Sequence, residues 1–181
     1  MVSVKLRCAI AGGLLMAGCS TAPSATPAHR ATASVTAIVP VSSPPAGAQL
    51  VAEGCGQSPI YSGGQLPEWA TVNAPSLPYV VARPGTILGY LFTRPLRAGS
   101  PENPSNKILW YVATPRNGQA LDAEGRPLGA DQPTARFTQT ANSFPGEIYP
   151  SGPTVPTPGC WRFTLTWLGG AQRAEVDLSF T

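Results

Sequence analysis

The only histidine in the 181-residue chain is His29, and it stands in a run of Ser, Thr, Ala and Pro with nothing to hold an imidazole beside a nucleophile. A Ser-His-Asp or Cys-His site is thereby excluded, because the base must be fixed within hydrogen-bond reach of the attacking group. A Ser-Lys arrangement would fall to Lys107, but position 104 is proline, so no Ser-x-x-Lys precedes it, and Lys107 opens an apolar strand pattern. Asp122, Glu124, Asp131 and Glu147 share a turn-rich region. Two of them could flank a glycosidic bond, or several could ligate Ca²⁺, although their spacing is not that of an EF-hand loop. Solvated turn residues are the simpler reading. No phosphate-binding Gly-x-x-x-x-Gly-Lys loop and no dinucleotide fingerprint occurs, so no cofactor and no metal are expected.

Binding residues are a second possibility. Trp69, Tyr79, Trp110, Tyr111 and Tyr149 could stack on sugars or on a partner protein, but aromatics at strand positions belong to the core by default. Trp69 differs, because it lies in a Pro- and Asn-rich stretch. Arg94, Arg97 and Arg116 flank two strand patterns and could meet at one end of a sheet to face acidic groups, against the plainer reading of solvated loop charge. Trp69 with these three arginines forms the candidate binding surface.

The four cysteines carry the most specific signal. Lys5 and Arg7 precede an apolar stretch from Cys8 to Leu15, followed by small residues, which is the layout of an export signal. The eleven residues from Cys8 to Gly18 include Gly12 and Gly13 and fall short of the roughly 20 needed to span a bilayer as a helix. Leu15-Met16-Ala17-Gly18-Cys19-Ser20 resembles the lipobox of bacterial lipoproteins, with Met16 where Leu is usual. The resemblance implies cleavage before Cys19, a diacylglyceryl group on its sulfur, and a mature chain held on the outer face of the cell membrane; secretion after ordinary signal cleavage is the competing reading. Two acyl chains, at roughly 0.8 kcal/mol per buried methylene, suffice for durable anchoring.

Losing residues 1–18 takes the basic-to-acidic balance from 12 against 9 to 10 against 9. That balance excludes nucleic acid as a partner, which requires a concentrated basic surface. With Cys8 discarded and Cys19 lipidated, Cys55 and Cys160 remain, and an oxidising compartment favours a disulfide between them. Two free thiols or a metal site are the alternatives, the latter unsupported by any Cys-x-x-Cys or histidine partner.

Ser20 to Ala46 is almost entirely Ser, Thr, Ala and Pro. Such a segment has too little apolar surface to fold and reads as a partly extended stalk over residues 19–46. Residues 47–181 make one domain by size. Proline and glycine supply 21 and 19 residues and charged residues only 12%, favouring turns and extended chain. Short β-like runs occur at 48–52, 79–83, 86–93, 107–114, 134–138, 161–168 and 172–181, with 86–93 and 107–114 apolar on both faces, as in central strands. Arg94 to Asn106 reads as a loop, and Asp122 to Pro127 as a turn signal.

The last two runs predict a hairpin. Trp161, Phe163, Leu165 and Trp167 alternate with polar residues, as do Ala174, Val176, Leu178 and Phe180. A two-residue turn at Gly169-Gly170 pairs Leu165 with Ala174, Phe163 with Val176 and Trp161 with Leu178, and puts Arg162 opposite Asp177 on the wet face; a four-residue loop preserves the same faces, whereas a three-residue loop without a bulge reverses one strand.

About seven strands at this spacing predict an all-β, antiparallel sandwich. Cys55 and Trp69, fourteen residues apart, loosely resemble the immunoglobulin pattern, but the cysteines are too far apart and Pro158 stands where a tyrosine corner would fall, so immunoglobulin-like applies only in the loose sense. The whole layout resembles exported lipoproteins of high-GC Gram-positive bacteria with a lipobox, a Pro/Thr/Ala stalk and a small β-domain. That resemblance implies location. The expected function is a membrane-tethered, non-catalytic interaction or structural domain whose partner is an envelope protein or glycan. The alternative is a carboxylate-dependent glycan- or lipid-processing hydrolase. An importer's substrate-binding component is disfavoured, because 135 residues are few for two lobes enclosing a ligand.

Overall fold

The computed structural model describes residues 43–70, 77–99, 106–113, 117–143 and 147–181. Cys19, His29, Arg116 and the whole of residues 1–42 lie outside them. The described chain forms two antiparallel sheets packed as a sandwich. The strands are β1 (Gln49–Cys55), β2 (Ser58–Ser62), β3 (Tyr79–Ala82), β4 (Ile87–Leu91), β5 (Ile108–Val112), β6 (Leu121–Pro127), β7 (Ala135–Gln139), β8 (Asn142–Ser143), β9 (Glu147–Ser151), β10 (Gly159–Trp167) and β11 (Gln172–Phe180). One sheet has the order β1-β2-β3-β4-β5-β9-β8 and the other β11-β10-β6-β7. Among the described residues, no helix is long and apolar enough to cross a membrane.

The C-terminal hairpin has the register that its alternation dictates. Trp161 pairs with Leu178, Phe163 with Val176, Leu165 with Ala174 and Arg162 with Asp177, the last pair before the loop being Trp167 with Gln172. The loop therefore has four residues, and every inward side chain stays inward. β4 and β5 are interior strands of the larger sheet, as their two-sided hydrophobicity requires. The segment between them contains no named strand among its described residues, although Leu96 is buried and bridges to Phe180.

Each strand of the hairpin and of β4 and β5 sends alternate residues into the main core, where Trp110, Trp161, Phe163, Leu165 and Trp167 meet Ile87, Ile108 and Val112. Packing at this density is achieved by pairing aromatics with glycines directly across a ladder. Gly89 faces Trp110 and Gly125 faces Phe163, and a Cβ on either glycine would come within 2.4 Å of the opposing ring, so neither site has room for a side chain.

The larger sheet is covered on its other face too. Tyr61, Tyr79, Tyr90 and Tyr111 form a second cluster with Leu88 and Ile148, their rings 5.7–6.2 Å apart between neighbours. The segment from Gly63 through a single 3₁₀ turn (Glu68–Ala70) supplies hydrogen-bond acceptors here: the Tyr79 hydroxyl donates to Gly63 O and that of Tyr90 to Ala70 O. Desolvation, helped by neighbouring Tyr111 and Tyr79, pushes the Tyr90 phenol up to about 12. These hydroxyls are structural.

Four strands lie outside the runs that hydrophobicity marks. β6, Leu-Asp-Ala-Glu-Gly-Arg-Pro, corrects the reading of Asp122 to Pro127 as a turn. Its inward positions are Leu121, Ala123 and Gly125, of which only Leu121 is large, Gly125 lying under the Phe163 ring, so the alternation carries little hydrophobic signal. β2, β8 and β9 are at most five residues long, and β9 contains Pro150.

Candidate functional site: a polar trough on the smaller sheet

The outer face of the four-stranded sheet is built from three cross-strand rows. Asp177, Arg162 and Arg126 form one, Glu175, Thr164, Glu124 and Arg136 the next, and Arg173, Thr166, Asp122 and Thr138 the third. Side chains on one face of neighbouring strands stand about 5 Å apart, so their lengths set the relief. The strand β10 carries short Thr164 and Thr166, whereas its neighbours carry mostly arginines and carboxylates. The result is a trough of about 760 Å³ along β10, with the turn Leu128–Asp131 lining it beyond Arg126. That volume falls within the range of roughly 300–1,000 Å³ common for ligand sites.

Electrostatic pairing fixes the walls. Glu124 receives Arg126 Nη2 at 2.6 Å and Arg136 Nε at 3.0 Å. Asp122 Oδ1 accepts the Thr138 hydroxyl at 2.6 Å, and Arg173 Nη2 donates to Glu175 at 3.0 Å and to Thr164 Oγ1 at 3.3 Å. The hydrogen bonds from Arg126 and then Arg136 hold the Glu124 carboxyl below the usual carboxylate range. These exposed pairs add little stability; their consequence is orientation.

Arg162 is held from below. Asp177, 1% exposed, accepts Arg162 Nε at 2.7 Å and Nη2 at 3.0 Å, a bidentate pair, together with the Gln57 N–H at 2.7 Å. Arg83 stands 3.7 Å away on the other side. The Ser58 hydroxyl accepts the Asp177 N–H at 2.8 Å, and a disulfide joins Cys55 to Cys160 across 5.9 Å between Cα atoms. The β1–β2 turn is thus clamped onto β10 and β11. Gly56 lies in this turn at φ +56°, with an added Cβ only 2.3 Å from the Asp177 carboxylate. Glycine is required there twice over, for the backbone angle and for the space.

The sequence-predicted residues distribute unevenly. Cys55 and Cys160 form the expected disulfide. Asp122, Glu124 and Asp131 do come together, all lining the trough. Glu147 does not: it is buried in the larger sheet, where it accepts the Gly118 N–H and, at 3.0 Å, the Tyr149 hydroxyl. Trp69 is half-buried against the tyrosine cluster, and Arg94 and Arg97 lie in the β4–β5 connection, where Asn106 bonds both the N–H and the carbonyl of Arg97. None of these three lines the trough. The residues that sequence reasoning missed are Arg126, Arg136, Thr138, Arg162, Thr164, Thr166 and Arg173; for those on the hairpin, the wet-face alternation was the available signal.

A carboxylate pair for glycoside hydrolysis needs one member held protonated and one ionised; the arginine hydrogen bonds fit Glu124 for the ionised role only. Among the described residues, no three His, Cys, Asp or Glu side chains group so as to hold a metal ion. No protein-family model, curated protein or solved structure matches this chain.

Proposed function

We propose that the protein is a lipid-anchored envelope protein, tethered through Cys19 and the Ser/Thr/Ala/Pro segment, that presents its β-sandwich domain for non-catalytic interaction with another envelope component. The N-terminal pattern supports the address, and the asymmetry of the sandwich supports the occupation. The larger sheet buries side chains on both faces, in the main core and in the tyrosine cluster. The smaller sheet buries one face and, beyond Asp177 under the β1–β2 turn, leaves the other open, lined by oriented guanidinium, carboxylate and hydroxyl groups. This open polar face is the observation that carries the interaction reading, because it is hollowed to the size of a ligand site and its lining side chains are oriented by their pairing.

A photoreactive residue in place of Thr138, at the edge of the trough, tests it in intact cells. Irradiation is expected to give an adduct of higher mass than the protein alone. A photoreactive residue at Leu50, 72% exposed and on the other sheet, is expected to give none. Absence of any adduct from position 138, or equal adducts from both positions, would contradict the assignment of this face.

A further inference from the structure

Resting on the interaction reading, we infer that the trough takes an uncharged, hydroxyl-rich chain: a segment of neutral polysaccharide lying along β10. The charge balance of the lining points there. Four arginines, Arg126, Arg136, Arg162 and Arg173, are interspersed with Asp122, Glu124 and Asp131, and Glu175 adjoins Arg173. A polyanion laid along the trough meets carboxylates beyond the Arg162 and Arg126 row, and a polycation meets the guanidiniums. A neutral chain meets neither penalty.

The hydrogen-bonding valences point the same way. Arg136 commits Nε and Nη2 to Glu124, and Arg173 commits Nη2 to Thr164 and Glu175, so each keeps further N–H donors out of its five. Each side chain is well exposed, at 70% and 63%. Asp122 uses Oδ1 for Thr138 and retains acceptor capacity. The floor adds two threonine hydroxyls: Thr164 accepts from Arg173 and keeps its proton to donate, while Thr166 donates to the Asp122 carbonyl at 3.5 Å and keeps its acceptor capacity. Donors and acceptors interleaved at strand spacing suit a ligand whose own groups are both at once, which is the property of a sugar hydroxyl. An extended protein segment fits less well, since Leu128 in the β6–β7 turn is the one large apolar side chain of the lining that stands well exposed, with Pro127, Ala130 and Phe137 beside it. The pre-paired charges also stay put when the ligand arrives, which limits the ordering cost of binding.

The experiment uses the full chain in detergent, immobilised and offered dextran, mannan and galactan as neutral polymers, with dextran sulfate and diethylaminoethyl-dextran as charged forms of one backbone. Retention of at least one neutral polymer is expected, with neither charged dextran preferred over its neutral parent. Affinity is expected to hold within about twofold between about 0.1 and 1 M salt, since screening acts on charges. The double variant Thr164→Val/Thr166→Val preserves shape and strand propensity and is expected to bind roughly tenfold more weakly or worse. Asp122→Ala, on the exposed wall, is expected to weaken binding in the same direction and serves if the double variant does not fold. No retention of any neutral polymer, a preference for a charged dextran that collapses in salt, or unchanged binding by the folded variants would each overturn the inference. Failure with the neutral polymers while the adduct at position 138 persists removes the glycan and leaves the interaction reading; loss of both removes both.

Discussion

Replacement of Asp177 by alanine is expected to cost the domain about 3–5 kcal/mol, the range for breaking a buried ion pair from one side. The carboxylate is almost fully enclosed and gathers Arg162, the Gln57 N–H and the charge of Arg83. Its loss leaves the buried Arg83 guanidinium with Glu175 alone, at 3.7 Å, and frees Arg162 from its bidentate hold. It also releases the β1–β2 turn, whose approach at Gly56 is shaped around this side chain. Chemical unfolding of the full chain measures the effect; a cost below about 1 kcal/mol, as for an exposed pair, would show that the clamp is not what holds the turn.

The same group sets an acid limb. Burial alone would raise the Asp177 carboxyl, but the Arg162 bond, the Gln57 N–H and the positive charges of Arg162 and Arg83 bring it below its ordinary value. A carboxylate depressed in the folded state contributes its full stability above the unfolded value of about 3.9, and loses it as pH falls through the lower folded value. Stability is therefore expected to fall on acidification below about pH 4, and Asp177→Asn, less stable at neutral pH, is expected to show a shallower acid limb. Parallel limbs in the two proteins would contradict this.

The second large effect is expected from the disulfide. It bridges a sequence separation of 105 residues, for which loop-closure entropy gives roughly 4–5 kcal/mol, with about 2–5 kcal/mol the usual outcome when a native bridge is removed. Cys55→Ser/Cys160→Ser is expected to fall in that range, because the Asp177 and Ser58 bonds still draw the turn toward β11 in the folded state. Unfolding curves of the double variant that coincide with those of the oxidised protein would contradict this.

The legible part of the fold is the part where the chain alternates between large apolar and polar side chains. β10 and β11 announce both their faces and their register through Trp161, Phe163 and Leu165 against Ala174, Val176 and Leu178. β4 and β5 announce themselves through uninterrupted apolar runs. β6 stays hidden because two of its inward residues are Ala123 and Gly125, the latter under Phe163, leaving Asp122, Glu124 and Arg126 to look like a charged turn. The trough was hidden for the same reason: part of its wall belongs to that strand, and its concavity comes from the contrast between threonine and arginine across two strand pairs, β6 with β7 and β10 with β11, that are separated in sequence. Arg162 opposite Asp177 was readable as a pair, but Gln57 and Arg83 reach the same carboxylate from distant elements, which turns a wet-face pair into a buried junction. Glu147 resembles its acidic neighbours in sequence and separates from them because β9 returns to the other sheet.

The anchor at Cys19 is the claim on which location, compartment and the presentation of the trough all depend. Cells expressing the full chain can be fed a labelled fatty acid and the protein isolated from the membrane fraction, beside a Cys19→Ala variant. Label is expected on the first protein and absent from the second, with the mature chain beginning at residue 19. Equal labelling of both, or an unlabelled protein with residues 1–18 retained, would contradict the account.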